Sequence, residues 1–146
     1  MTGLSMKTTF GVLFVLALLG CAKLAGGLTQ PDLIPERRAG GQGDEGFCNR
    51  DQAGDLIVIV RNQTNNPVLV PTLTEVAFSN SIISEITPPL AGGASYSFSV
   101  PIPAGCFSSD CSFEITVDRE DVVEESHVAT PDNHEENNRQ SGICIG

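Results

Sequence analysis

The run ITVDREDVVEESHVATPDNHEENN, positions 115–138, gathers the densest set of chemically capable side chains in the chain. Eight carboxylates (Asp118, Glu120, Asp121, Glu124, Glu125, Asp132, Glu135 and Glu136) stand there against Arg119 alone, a net charge of −7. Calcium takes oxygen ligands in flexible geometry, so a loop of this kind suits it, with Asp118, Asp121, Glu124 and Asp132 as the candidate ligands. The EF-hand spacing D-x-[DN]-x-[DN]-G does not occur in the run. The plainer expectation is a strand that ends at Asp118 and a solvated loop, with Asn137 and Asn138 bonding their own backbone in a turn. His127 and His134 fall in the same run and read as surface residues rather than ligands.

Other chemistries find little support. The sequence contains no G-x-S-x-G, H-E-x-x-H or P-loop, and a Ser/His/Asp set would have to recruit its histidine from the acidic loop. A carboxylate pair for glycoside hydrolysis would have to stand in a small domain with no Trp to line a sugar cleft. A non-enzymatic protein is therefore expected. The formal charge of −10 and the lack of a basic stripe argue against nucleic acid or an anionic membrane surface as partner.

Setting Cys21 aside, the five cysteines leave Cys48, Cys106, Cys111 and Cys144, an even number that reads as two disulfides in an oxidising compartment. Of the three possible pairings, Cys106 with Cys111 is favoured by their closeness across CFSSDC, which leaves Cys48 to meet Cys144. Zinc fits less well, because there is no C-x-x-C pair and both histidines are remote from the cysteines in sequence.

The N-terminus indicates export. Met6-Lys7 precedes an apolar run of ten residues, Phe10 to Leu19, too short to span a bilayer as a helix and suited to a signal peptide. Leu18-Leu19-Gly20-Cys21 then resembles the lipobox of bacterial lipoproteins, in which the cysteine becomes diacylated and the peptidase cuts beside a small residue. That resemblance implies cleavage after residue 20 and a membrane anchor through lipid on Cys21. Ala22, where Asp would favour the inner membrane, points to the outer one. Residues 21–46 read as a Gly-rich tether, with a short strand allowed at 31–34, and residues 47–146 as the folded domain. At 146 residues, the chain has room for one domain only.

The elements that must position any site read in period two. Asp55 to Arg61 is an apolar β-branched run that ends in the turn residues Asn62 to Pro67. Val70, Thr72, Thr74, Val76 and Phe78 alternate with their neighbours, as do Tyr96, Phe98, Val100 and Ile102 against Ser95, Ser97 and Ser99. Phe113, Ile115 and Val117 repeat the pattern. Short candidates at Asp32–Ile34, Ile82–Ile86 and Ile143–Ile145 bring the count to about seven strands, separated by Gly- and Pro-rich turns, which predicts an all-β, antiparallel, immunoglobulin-like sandwich. Asn62-Gln63-Thr64 spells a glycosylation sequon, read here as the turn after a strand.

Five short motifs occur in order: Pro31-Asp32-Leu33; Val60-x-Asn62; Leu90-x-x-Gly93-x-Ser95; Ile115-x-Val117-Asp118; and Glu135-x-Asn137-Asn138. Together they resemble CARDB, the cell-adhesion-related domain found in bacteria, across Pro31 to Gly146. Thr64 stands where that family usually has Gly, and Glu124 to Pro131 looks like an insertion. The resemblance implies an immunoglobulin-like, non-catalytic module that serves adhesion or structure on exported proteins, without specifying a ligand. The expected partners are the membrane, through Cys21, and a protein or surface polymer. A calcium-responsive module using the loop 118–136, or an inhibitor of an exported enzyme, are the competing expectations.

Overall fold

Strands form where apolar and polar side chains alternate, because successive residues of an extended chain face opposite sides of a sheet. In Leu56–Asn62 (β2) the buried residues are Leu56, Val58, Val60 and Asn62. In Thr72–Phe78 (β3) they are Thr72, Thr74, Val76 and Phe78. Cys111–Thr116 (β6) buries Cys111, Phe113 and Ile115. Ser95–Val100 (β5) turns its serines outward and Tyr96, Phe98 and Val100 inward. Leu33–Pro35 (β1), Ser81–Thr87 (β4) and Arg139–Cys144 (β7) complete the set. The computed structural model describes residues 30–37, 48–108, 110–125 and 136–146; Cys21, His127, Asp132 and His134 lie outside them, as does most of the expected signal and tether.

The seven strands form two antiparallel sheets, β1-β2-β5 and β4-β3-β6-β7. The chain changes sheet between β2 and β3, between β4 and β5, and between β5 and β6, the Greek-key crossing of an immunoglobulin-like sandwich. One apolar cluster fills the space between the sheets, with Leu33, Val58 and Val60 from the first and Val76, Phe113 and Ile115 from the second. Phe78 and Phe113 are cross-strand partners whose ring centroids lie 6.2 Å apart. Gly142 faces Phe113 from β7, and a Cβ at that position would stand 2.5 Å from the ring; glycine is what lets the ring lie across the strand.

Several boundaries differ from those read in the sequence. Val70 is not on the β3 face but exposed in the loop before it, since Pro71 has no N–H for a ladder and the strand opens at Thr72. The last strand is β7, beginning at Arg139 and ending at Cys144, rather than Ile143–Ile145, and Ile145 lies beyond it, exposed. Six consecutive pairs with β6 fix that strand, from Thr116 with Arg139 to Cys111 with Cys144, so it does not depend on its few apolar side chains. The allowed first strand is present at Leu33–Pro35 and pairs with β2, so the sandwich draws on residues ahead of position 47. Disulfides join Cys48 to Cys144 and Cys106 to Cys111.

Candidate functional site

The acidic run divides into two populations once folded. Asp118 and Glu125 point inward and are almost fully buried, whereas Glu120, Asp121 and Glu124 are exposed. Asp118 follows β6 with a left-handed φ of 45°, a conformation that Asp and Asn tolerate better than other side chains. Its Oδ1 accepts the Val122 N–H at 3.2 Å and its Oδ2 accepts the Val123 N–H at 2.8 Å. Burial pushes the Asp118 carboxyl above its ordinary value; the two amides pull the other way, and the charges of Asp121 and Glu120 add to the rise. Both oxygens of the first candidate calcium ligand are therefore committed to closing a turn. Among the described residues no three His, Cys, Asp or Glu side chains are grouped to hold a metal ion; Asp132, the fourth candidate ligand, lies outside them.

Glu125 has a structural part that its place in an acidic loop conceals. Its Oε1 accepts the Leu33 N–H at 2.9 Å, which ties the loop after β6 to β1 across 92 positions of sequence. The buried–exposed–buried order of Val123, Glu124 and Glu125 continues a period-two pattern that could have revealed it.

Asn62 stands at the centre of the same end of the sandwich. Fully buried, it donates through Nδ2 to the Asn66 carbonyl at 2.6 Å, and its Oδ1 accepts from the Thr64 hydroxyl at 3.1 Å. Asp32, also buried, accepts hydrogen bonds from the side chains of Gln63 and Asn137. The loop before β5 closes on this group: Gly93 N–H donates to the Thr64 carbonyl at 2.7 Å, with Gly93 at a φ of 74° that suits glycine. Asn138 contributes its carbonyl to the Val117 N–H at 2.9 Å. The described residues of the five sequence motifs thus converge on one end, where they hold loops together. A sequon whose Asn62 amide is buried and bonded in this way is a folding element in the finished domain.

Apolar surface lies elsewhere. β4 is an edge strand, and Ile82 and Ile86 on its outer face are 65% and 64% exposed. Ile86 pairs with Leu73, and with Pro71, Thr72 and Glu120 these residues line a shallow cavity of about 290 Å³. Leu69, 80% exposed, and Val70 sit just upstream of Pro71. The sequence did not single out this patch, because Ser-Ile-Ile-Ser-Glu-Ile-Thr lacks clean alternation. A strand edge this apolar, with one charge and no Lys or Pro, is unguarded against pairing with another chain. A G-x-G-x-x-G spelled by Gly41 to Gly46 lies outside the described residues.

No family model matches the chain, and no curated protein matches it. A solved structure does resemble it: the solution NMR structure of a domain (272-376) of a "putative cell surface protein" from Methanosarcina acetivorans. The TM-score is 0.57 at 14% sequence identity, over 80% of this chain and 91% of that one. At that identity the likeness is one of fold, and the shared fold is the two-sheet antiparallel sandwich.

Proposed function

We propose that the chain is an exported protein, anchored by lipid on Cys21, which serves at the bacterial cell envelope as a non-catalytic adhesion or structural accessory module. The observation that carries this reading is the pair of disulfides within the sandwich, because such bonds persist in oxidising compartments outside the cytosol. The signal-like run before Leu18-Leu19-Gly20-Cys21, the order of CARDB-like motifs and the cell-surface description of the similar domain support it. The outer face of β4 is the surface for contact, and its free edge suits an extended segment of another envelope protein, added as a further strand.

Fractionation tests the anchor. Cys21→Ser should shift the protein from the membrane to the soluble fraction, since ten apolar residues do not span a bilayer; unchanged membrane retention of a processed Cys21→Ser protein overturns the lipoprotein reading. A photoreactive side chain at position 82 tests the surface separately. It should yield a discrete protein adduct in intact cells that the same group at position 97, on the outer face of the other sheet, does not. Equal adducts at both positions would remove β4 as the contact.

A further inference from the structure

The two disulfides are neighbours, and their arrangement differs from that of two independent staples. Cys111 and Cys144 are direct cross-strand partners on β6 and β7, and both are buried on the inner face. Directly opposed residues of an antiparallel pair have Cα atoms about 4.5 to 5.5 Å apart, inside the window of about 4.4 to 6.8 Å that a disulfide requires. A Cys111–Cys144 bond would therefore fit the register already present. Cys106, by contrast, is only partly buried, in the 3₁₀ turn Cys106–Ser108. The segment bearing Cys48 lies beside that turn: the Arg50 guanidinium stacks over the Phe107 ring at 5.2 Å.

The two existing bonds also differ in what they connect. Cys48 belongs with the first sheet, because Asn49 accepts the Ile57 N–H at 2.8 Å and Arg50 bridges to Leu56. Cys48–Cys144 is thus a clamp between the two sheets. Cys106–Cys111 closes a loop of sequence separation 5 at the start of β6.

The geometry points to a redox-triggered exchange in which reduction of the less buried loop disulfide releases the fully buried clamp between the sheets. A thiolate of an external dithiol attacks Sγ of Cys106, the one cysteine of the four that is not fully buried, forming a mixed disulfide and expelling Cys111 as thiolate. The second thiol of the reagent resolves the mixed disulfide, leaving Cys106 as thiol and the reagent oxidised. The Cys111 thiolate then attacks Cys144 Sγ, forms Cys111–Cys144 and expels Cys48, which takes up a proton. Two electrons enter and one disulfide remains, moved from between the sheets to within the second sheet. The sheets are then held together by packing and hydrogen bonds alone, although the reductant never reaches the buried bond.

The test uses the full oxidised chain and one molar equivalent of dithiothreitol, followed by acid quench, N-ethylmaleimide labelling and non-reducing peptide mapping. Trypsin with chymotrypsin separates all four cysteines, by cuts after Arg50, Phe107, Phe113 and Arg119. The expected product is a Cys111–Cys144 peptide with label on Cys48 and Cys106. Label on Cys106 and Cys111 with Cys48–Cys144 intact overturns the exchange, as does label on Cys48 and Cys144 with Cys106–Cys111 intact. Cys106→Ser gives a second reading without any reductant, because Cys111 is then a free thiol from the start. Label divided between Cys48 and Cys111 supports the exchange, and label confined to Cys111 counts against it.

Discussion

At one end of the sandwich, Cys48–Cys144 and Cys106–Cys111 hold the β1–β2 connection, the β5–β6 turn and the last strand. At the other, Asp32, Asn62, Asp118 and Glu125 hold the β2–β3, β4–β5 and β6–β7 loops by hydrogen bonds to backbone and amide groups. Both ends solve the same problem, the entropy of ordering loops with little apolar content. The covalent end acts chiefly by limiting the unfolded chain. The polar end acts in the folded state, where each buried group would cost free energy if its partner were lost. Damage should therefore differ in kind: a lost disulfide lowers stability with the loops still able to close, while a lost polar partner leaves an unsatisfied atom inside.

The comparison can be broken most forcefully at the inter-sheet clamp. Cys48→Ala with Cys144→Ala opens a cross-link of sequence separation 96, and the chain-entropy model puts the loss at about 4 to 5 kcal/mol, read as a lowered denaturant midpoint. Asn62→Ala should follow, at about 3 kcal/mol, because the Asn66 carbonyl and the Thr64 hydroxyl lose a buried partner together. Asn62→Asp, which keeps Oδ1 but loses the Nδ2 donor and buries a charge, should not rescue it. Removing Cys106–Cys111 by paired alanines should cost only about 2 kcal/mol. A larger loss from the loop bridge than from the clamp would reverse the ranking of the two bonds.

The smallest effect sharpens the contrast through pH. Asp51, near the disulfide end, also caps a turn, its Oδ1 accepting the Ala53 and Asp55 amides at 2.9 and 3.0 Å. A hydrogen bond from Ser99, with help from backbone amides, holds its carboxyl below the ordinary value of 3.8, whereas burial holds Asp118 above that value. The signs are opposite. Asp51 stabilises the fold above 3.8, and that contribution is lost as pH falls through its lowered folded-state value. Asp118 contributes below 3.8 and loses that contribution as pH rises through its raised folded-state value. Melting curves across the acid range should show Asp51→Asn losing ground to the native protein as pH rises, and Asp118→Asn gaining on it. Parallel pH profiles for the two variants would show that the ends are electrostatically alike.

Much of the fold was legible because its signals are local. Alternation in Ser95–Val100 and Cys111–Thr116 marks a sheet with one buried face, the β-branched run at Leu56–Val60 marks a strand, and a cysteine pair five positions apart needs only a loop to close it. The candidate site was legible only in part. Asp118 reads as the end of a strand and as a candidate calcium ligand; it follows β6, and its carboxylate closes the turn there. Glu125 was counted with the solvated loop and is instead bonded to the Leu33 amide, a partner that no short window of sequence contains. Ile82 and Ile86 read as the ends of a short candidate strand; which face they turn to water was set only when β4 took the edge of its sheet with that face outward.

By itself, the sequence determined the period-two strands, the even cysteine count, the turn residues and the surplus of acid, since each depends on residue type and spacing along the chain. The tertiary structure decided which acids face inward, which isoleucines face water, and that Cys111 lies opposite Cys144. Those outcomes depend on which strands become neighbours. Neighbours here are set by contacts as far apart as Leu33 and Glu125, where desolvation turns a carboxylate of the acidic loop into part of the fold.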